Sequence, residues 1–185
     1  MAYFPMFVNL AERDCLVIGG GEVALRKIEQ LVKFSPKLTV IAPTVHTEIY
    51  ELAQKYPIFI IQRPYAISDL EGRYLVIGAL DDLGEQEKIF HYCTEYHIPV
   101  NCVDSPLLCS FIFPALIVEN HLSIGINTSG RAPAVSSALR QYLTKIIPKG
   151  ISDLIKQVDL IRHNEAVGKE RQEKIIRICK DFFKQ

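Results

Sequence analysis

Short runs of apolar residues alternate with longer amphipathic segments along the chain up to residue 113. The apolar runs lack alternating polar positions, which is typical of strands that are covered on both faces. The longer segments repeat their apolar residues at helical spacing. Strands joined by such helices predict an α/β fold with a doubly wound parallel sheet, because crossover connections are right-handed. The predicted strands are 15–18, 38–41, 58–61, 74–77 and 100–103, and the predicted helices are 22–34, 45–56 and 82–96.

The pattern changes after the last of these strands. Two apolar runs, Ala115–Glu119 and Leu122–Asn127, are separated by only two residues, which predicts a small β-hairpin rather than another crossover. A helix is then predicted over 133–147 with a proline in its first turn, a second helix starts at 151, and a last one lies around 175–183. So short a tail buries little apolar surface alone. Its apolar stripes are expected to pack on the first domain or on a second chain.

Composition and charge narrow the class of protein. Lys+Arg 21 and Asp+Glu 21 give a formal net charge of zero, which argues against a nucleic-acid-binding protein. The apolar runs fall short of the roughly 18 residues of a membrane span, and the N-terminus lacks the basic region and cleavage site of a signal peptide. The five cysteines show no C-x-x-C spacing, and the five histidines show no paired metal-ligand spacing. The sequence therefore predicts a reduced, cytoplasmic protein without a membrane partner or a permanent metal site.

The segment CLVIGGGEVALRK carries the strongest local signal. Gly19-x-Gly21-x-x-Ala24 directly follows the first strand and opens the first helix, as a dinucleotide-binding fingerprint requires. Gly19 permits the tight turn, Gly21 lets a pyrophosphate approach the backbone, and Ala24 lets the helix lie close to the sheet. The helix N-terminus after Gly20 then offers N–H groups to the phosphates. The alternative is a glycine turn in a doubly wound fold that binds no ligand.

The acidic residue that commonly binds the cofactor ribose is missing from its expected place. It should lie at the end of the second strand, but that place reads Ile41-Ala42-Pro43-Thr44. Charge therefore does not decide between NAD and NADP at this position. The hydroxyl of Thr44 and backbone groups of the same loop are expected to contact the ribose instead.

Carboxylates follow two of the predicted strands, at the edge where ligands bind in open α/β sheets. Asp81 or Asp82, in GALDD after the fourth strand, is a candidate cofactor contact, although a role as N-cap of the next helix is favoured. Asp104 ends the fifth strand between two apolar runs, where an unpaired carboxylate would be costly. Asp104 is therefore expected either to cap the Ser105-Pro106 turn or to face a ligand in the cofactor cleft.

A polar loop, NTSGRAP, joins the hairpin to the helix that begins at Pro133. Asn127, Thr128, Ser129 and Gly130 place hydroxyls, a glycine and exposed N–H groups directly before that helix. Such a loop indicates an anion-binding nest. An ordinary helix cap explains the same residues equally well.

Three blocks of the sequence together resemble one family. They read FPMFVNLAERDCLVIGGGEVALRK, VNCVDSP…CSFIFPA and INTSGRAPAVSSALR, and they span roughly residues 3–147 in family order and spacing. The sequence resembles the precorrin-2 dehydrogenase/sirohydrochlorin ferrochelatase family, which also forms the N-terminal module of siroheme synthases. The resemblance implies that NAD+ oxidises precorrin-2 to sirohydrochlorin and that ferrous iron is then inserted. No methyltransferase domain is appended, so a stand-alone form is expected. The resemblance also implies a homodimer, which the hairpin and the apolar stripes of the tail favour as well.

The resemblance also implies roles for particular residues. Glu22 and Val23 after the glycines match the family's cofactor positions, as do Pro43 and Thr44 after the second strand. The family's key aspartate falls on Asp104, which would accept protons in oxidation and then in chelation. The substrate loop falls on the polar residues named above, Asn127, Thr128 and Ser129. No tight iron site is required, because the metal ends in the macrocycle.

The predicted organisation has three regions. A NAD-binding Rossmann-like domain covers 1–113, a hairpin and helix region for dimerisation and substrate covers 114–150, and a helical region covers 151–185. Two other functions stay open. A non-catalytic NAD-sensing module would explain the glycine loop but has no need for Asp104. Another NAD-dependent dehydrogenase of small alcohols lacks support, since there is no Tyr-x-x-x-Lys pair and no catalytic zinc pattern.

Overall fold

The structure is a computed structural model that describes residues 3–184. The chain divides into two compact units. The first unit consists of residues 6–112, which nearly coincides with the predicted Rossmann-like domain. The second unit combines residues 3–5 with residues 113–184. The two predicted regions that follow the Rossmann-like domain therefore lie in one unit.

The first unit is built around a parallel five-stranded sheet with strand order β3-β2-β1-β4-β5. This order confirms the predicted doubly wound α/β fold, because the chain starts in the middle of the sheet and extends it on both sides. The strands are β1 (Asp14–Ile18), β2 (Lys37–Ile41), β3 (Ile58–Ile61), β4 (Leu75–Gly78) and β5 (Val100–Cys102). The helices are α1 (Glu22–Leu31), α2 (Thr47–Ala53) and α3 (Leu83–Glu95).

Apolar strands and helix stripes supply the core of the first unit. The last four residues of β1 and all four residues of β4 are buried, so both faces of the central strands are covered. Helices α1 and α3 lay their apolar stripes on the sheet, and this burial supplies most of the stability of such short helices. The buried apolar side chains of these two helices are Ala24, Leu25, Ile28, Leu31, Ile89 and Cys93.

Local hydrogen bonds set the helix ends at positions that differ slightly from the predicted ones. The His46 Nδ1 atom accepts a hydrogen bond from the Glu48 N–H at 3.3 Å, so α2 begins directly after His46. The Asp82 carboxylate accepts one from the Glu85 N–H at 3.1 Å, so α3 begins directly after Asp82. Helix α1 ends at Leu31 and continues to residue 34 as a 3₁₀ turn.

The second unit contains the predicted hairpin and the predicted helices. Strands β6 (Ala115–Glu119) and β7 (Leu122–Ile126) pair antiparallel. The amide of Asn120, in the hairpin turn, donates to the Ser152 hydroxyl at 2.9 Å. This bond ties the hairpin to the helical tail. The helices are α4 (Pro133–Ile146), α5 (Ile151–Asn164) and α6 (Lys169–Phe183).

The second unit buries few of its apolar side chains. Ile117 of β6 and Ile151 and Leu154 of α5 are buried, whereas no residue of α6 is. Helix α4 exposes four large side chains at helical spacing, so that they form one stripe. The stripe consists of Val135 (57% exposed), Leu139 (42%), Tyr142 (60%) and Ile146 (53%).

Within residues 3–184, no helix is long and apolar enough to cross a membrane. In the same part of the chain, no three His, Cys, Asp or Glu side chains are grouped so that they could hold a metal ion. The five cysteines are free thiols, and burial raises the pKa of Cys93 and of Cys102 to about 12, which keeps both neutral.

Candidate functional site

The carboxyl ends of the parallel strands bring three loops together at one edge of the sheet. Gly19 follows β1 with a φ of 120°, a conformation that favours glycine. A Cβ atom on Gly19 would lie 2.1 Å from the carbonyl oxygen of Ala79, which follows β4. A Cβ atom on Gly20 would lie 2.2 Å from the carbonyl oxygen of Thr44, which lies after β2. Close packing of backbone on backbone therefore requires both glycines.

Gly21 leaves an open space instead. A Cβ atom on Gly21 would meet no atom within 4 Å. Gly21 is the N-cap of α1 and no side chain caps this end, so the first N–H groups of the helix point away without an intrahelical acceptor. An open space next to these N–H groups and the positive helix end fits the pyrophosphate of a dinucleotide. Glu22 is exposed and Val23 half-buried at this end, and their cofactor contacts stay predictions.

The loop after β2 lies against the glycine turn, as a ribose site would require. The His46 N–H donates to the carbonyl oxygen of Gly20 at 2.8 Å. The side chains of Pro43 and Thr44 are exposed, and the Pro43 carbonyl oxygen accepts a hydrogen bond from the Gln62 amide at 3.2 Å. The fold therefore brings Pro43 and Thr44 to the predicted edge, while their contacts with the ribose stay predictions.

The two aspartates after β4 differ in what they contact. Asp82 is the N-cap of α3, the role that its position in the sequence favours. Its carboxylate accepts a hydrogen bond from the Glu85 N–H. The Glu85 carboxylate in turn accepts hydrogen bonds from the Tyr65 hydroxyl at 2.5 Å and from the Lys88 ammonium at 2.7 Å. Asp81 is exposed next to this cap. A cofactor contact of Asp81 stays a prediction.

Asp104 lies in the turn that leaves β5, one strand away from β4 in the sheet. The Val103 N–H donates to the carbonyl oxygen of Gly78 at 2.9 Å, which fixes the start of this turn on the sheet. Asp104 itself has a φ of 60° and an exposed side chain. The two apolar runs that flank it do not bury it, because the chain leaves the sheet in the left-handed conformation at this residue. Ser105, not Asp104, is the N-cap of the 3₁₀ turn at 106–108.

Lys27 is a neighbour of Asp104 that the sequence did not reveal. Its side chain is half-buried on α1, six residues after Gly21. Burial lowers the pKa of the Lys27 ammonium, and the neighbouring Cys109 and Asp104 groups act in the opposite direction. The cation therefore lies close enough to both groups to interact with them electrostatically. A lysine beside the apolar stripe of a helix is common, so the sequence pattern does not indicate that Lys27 lies near Asp104.

Gln86 is a second residue that the sequence analysis missed. It lies on α3 and is 4% exposed. Its amide bonds to the loop after β4 and to the turn after β5. The signal was present in the sequence, because Gln86 is a polar residue on the same helix stripe as Ile89 and Cys93. A polar residue on a buried stripe must find hydrogen-bond partners.

The polar loop belongs to the second unit and is held by its own hydrogen bonds. The Thr128 hydroxyl accepts a hydrogen bond from the Ala132 N–H at 3.3 Å, just before α4. The Asn127 side-chain oxygen accepts one from the Ser129 N–H at 2.8 Å. Gly130 has a φ of 74° and open space around it. These bonds shape the loop, but the N-cap of α4 is Ala132 and no side chain caps this helix, so the loop residues are not its cap. Substrate contacts of this loop stay predictions.

The fold and the glycine turn define a dinucleotide-binding protein. Residues 6–115 match a family described as "Putative NAD(P)-binding". The match covers more than half of the 185 residues, and the chain therefore belongs to this NAD(P)-binding family. A nicotinamide dinucleotide is accordingly its cofactor, as the glycine motif predicts.

Siroheme synthases are among the relatives of this chain. One from Thioalkalivibrio sulfidiphilus is 37% identical over 159 residues, which cover 86% of this chain and 32% of the relative. One from Psychrobacter sp. is 36% identical over 156 residues, covering 84% of this chain and 32% of the relative. The chain thus spans about a third of the length of these relatives. The family resemblance of the three sequence blocks is confirmed.

A solved structure has the same fold. It is "SirC, precorrin-2 dehydrogenase", with a TM-score of 0.78 and 23% sequence identity. The similarity covers 95% of this chain and 89% of the other. It confirms the predicted fold class, a Rossmann-like sheet followed by a small hairpin and helices.

Proposed function

We propose that this protein is a precorrin-2 dehydrogenase of siroheme biosynthesis, which oxidises precorrin-2 to sirohydrochlorin with NAD+. The observation that carries the proposal is the exposed Asp104 carboxylate, which follows β5 at the same sheet edge as the glycine turn. Ligands bind at this edge in open α/β sheets. The siroheme synthases among the relatives and the name of the structural neighbour supply the substrate class.

The proposed oxidation removes a hydride and a proton from precorrin-2, so that sirohydrochlorin, NADH and a proton are formed. The bound dinucleotide supplies the hydride acceptor. The glycine turn and the start of α1 orient it at the sheet edge. Asp104 accepts the proton that the macrocycle loses, and its exposure lets it pass that proton on to water.

Insertion of ferrous iron into sirohydrochlorin is the second proposed step. The iron is a substrate here, and it displaces the pyrrole N–H protons of the macrocycle. Asp104 accepts these protons as it does in the oxidation. A resident metal site is not needed for this step, because the ion ends bound to the macrocycle nitrogens.

The polar loop at 127–130 is the proposed contact for the substrate carboxylates. Asn127, Thr128 and Ser129 lie at the entry to α4, where N–H groups and hydroxyls can donate to an anion. Gly130 leaves open space on the same loop. A cytoplasmic location also stays a prediction, based on the free cysteines.

The direct test mixes the purified protein with precorrin-2 and NAD+ and follows NADH and sirohydrochlorin by absorbance. Both products are expected from the wild type. Asp104→Asn should keep the fold and the NAD+ affinity while turnover falls by ~10²–10⁴-fold, because an amide cannot take up a proton. Asparagine also tolerates the left-handed conformation of residue 104, so the variant changes the chemistry and leaves the turn in place.

Glu87→Gln is the matched control, since it removes an exposed carboxylate from the neighbouring helix α3. It should leave turnover unchanged. Normal turnover of a folded Asp104→Asn variant would contradict the role of Asp104. If the wild type binds NAD+ but oxidises nothing, the chain is a NAD-sensing module instead. Ferrous iron added after the oxidation tests the second step through the absorbance of siroheme.

A further inference from the structure

We propose that Gln86 is a positioning residue, which fixes the Asp104 turn against the cofactor-binding edge of the sheet. The inference rests on the proposed function, in which Asp104 accepts protons. Gln86 lies in the first half of α3, directly behind the carboxyl ends of β4 and β5. Only three polar residues in the described part of the chain are buried, and Gln86, at 4% exposed, is the most buried of them. A buried amide of this kind is retained only when its hydrogen bonds are satisfied.

The Gln86 amide joins two loops that are far apart in sequence. Its nitrogen donates to the carbonyl oxygen of Leu80 at 2.5 Å and to that of Val103 at 3.2 Å. Its oxygen accepts a hydrogen bond from the Ser105 hydroxyl. Both donor positions and the acceptor of the amide are therefore in use. One end of this bridge is the loop after β4, and the other is the turn after β5.

The loop after β4 also contacts the glycine turn. Leu80 follows Ala79, whose carbonyl oxygen would lie 2.1 Å from a Cβ atom on Gly19. Gln86 thus connects the Asp104 turn, through Leu80 and its neighbour, to the loop that would bind the dinucleotide. Helix α3, which carries Gln86, is anchored in the core by the fully buried side chain of Ile89.

The bridge holds both residues that flank Asp104. Val103 and Ser105 are the two partners of Gln86 in the turn, and Asp104 lies between them. Asp104 has a φ of 60°, a left-handed conformation that aspartate and asparagine adopt more readily than most residues but less freely than glycine. Such a conformation persists only where the surroundings determine it. The hydrogen bonds to Gln86 on either side of Asp104 provide that determination.

A proton acceptor works only within hydrogen-bonding reach of the proton it takes. A displacement of about 1 Å can lower a rate by roughly 10²-fold. Gln86→Met keeps the length and apolar volume of the side chain while it removes all three hydrogen bonds. It is therefore expected to lower turnover by about 10- to 100-fold and to leave NAD+ affinity unchanged, since Gln86 contacts the loop backbone and not the glycine turn itself.

The test is a double-mutant cycle with Asp104→Asn, measured as precorrin-2 oxidation. Gln86→Met should lower turnover of the wild type but cause no further loss in the Asp104→Asn variant, because the residue it positions is already inactive. An equal loss in both backgrounds would show a role other than positioning Asp104. Glu87→Met, at the next and exposed position of α3, is the control and should leave turnover unchanged.

A second measurement does not depend on the reaction. Amide hydrogen exchange at Ser105 reports opening of the turn, because its N–H donates to the carbonyl oxygen of Cys102 at 3.3 Å. Exchange there should become faster in Gln86→Met and, if that variant does not fold, in Ser105→Ala, which removes a single hydrogen bond of the bridge. Unchanged exchange would overturn the inference about Gln86. A wild type that exchanges as expected but oxidises nothing would instead contradict the proposed function.

Discussion

The three consecutive glycines after β1 are required for two different reasons. Gly19 and Gly20 cannot carry a side chain, because the carbonyl oxygens of Ala79 and Thr44 occupy the positions next to them. Gly21 has open space around it, so nothing in the chain itself excludes a side chain there. We therefore expect any requirement for glycine at this third position to come from the ligand. Substitutions at these adjacent positions can therefore distinguish an effect on folding from an effect on cofactor binding.

Gly21→Asp should fold normally and lose measurable NAD+ binding. Aspartate is a favoured N-cap residue, so α1 should be at least as stable as in the wild type. Its carboxylate would, however, occupy the space for the pyrophosphate and repel the negative charge of that group. Calorimetry with NAD+ and the unfolding temperature test both parts of this expectation. Gly20→Ala is the matched comparison and should lower the unfolding temperature, since its Cβ atom would lie 2.2 Å from a backbone oxygen.

Unchanged NAD+ affinity of a folded Gly21→Asp variant would remove the glycine turn from the cofactor site. Equal losses of stability in Gly20→Ala and Gly21→Asp would contradict the other half of the expectation, because Gly21 would then be needed for folding.

At the scale of elements, the connection between β3 and β4 is held by one carboxylate. Asp69 accepts two hydrogen bonds from the Arg63 guanidinium, each 2.7 Å long, and a third of 2.7 Å from the Ala66 N–H. The hydrogen bonds from Arg63 are the main cause of a pKa of Asp69 below its ordinary value. A carboxyl group whose pKa is lower in the folded state adds stability above its unfolded pKa. That stability is lost as pH falls through the folded pKa.

Asp69→Asn should therefore make the stability of the protein less dependent on pH in the acid range. Between about pH 5 and about pH 2, the free energy of unfolding of the wild type should fall more steeply than that of the variant. Urea unfolding at a series of pH values measures both slopes. Asp153→Asn is the control, because that side chain is 84% exposed and lies 3.9 Å from Lys156. Equal slopes for wild type and Asp69→Asn would contradict this role for the Arg63 pair.

At the scale of the whole molecule, the exposed apolar stripe on α4 indicates that a single copy of the chain leaves an interaction surface uncovered. Val135, Leu139, Tyr142 and Ile146 lie on one face of the helix and are exposed. The second unit, to which α4 belongs, buries few apolar residues of its own. A second copy of the chain can cover this stripe with its own α4, as in a two-fold symmetric interface. We therefore expect a homodimer, as the family resemblance also implies.

Replacing two residues of the stripe should separate the dimer. Leu139→Glu combined with Tyr142→Glu places two like charges on each side of the proposed interface, which disfavours association. Light scattering after gel filtration should then show a monomer, with the first unit still able to bind NAD+. Gln141→Glu adds a charge to the same helix away from the stripe and should leave the dimer intact. A wild-type monomer at micromolar concentration would contradict the proposed assembly.

The sequence by itself determined the class of fold and the position of the cofactor turn. Short apolar runs without polar alternation are typical of strands that are buried on both faces of a parallel sheet. The order of the strands confirms the predicted sheet. The glycine fingerprint is local, because its turn and the helix that follows are made by neighbouring residues. The same holds for Asp82, since an aspartate next to a helical pattern is a favoured cap. Helix ends were less predictable, because caps and short 3₁₀ turns differ by single hydrogen bonds.

The tertiary structure decided what surrounds Asp104. Its exposure depends on a left-handed turn, which the two apolar runs on either side of it do not indicate. Gln86 comes from α3, and its amide contacts this turn because the sheet places β4 and β5 side by side. Lys27 comes from α1, and the same sheet brings it near enough to Asp104 for the carboxylate to influence its pKa. Both positions depend on residues that are distant in sequence. A pattern of hydrophobic and polar positions records which face of a helix is buried, but not which loop that face meets.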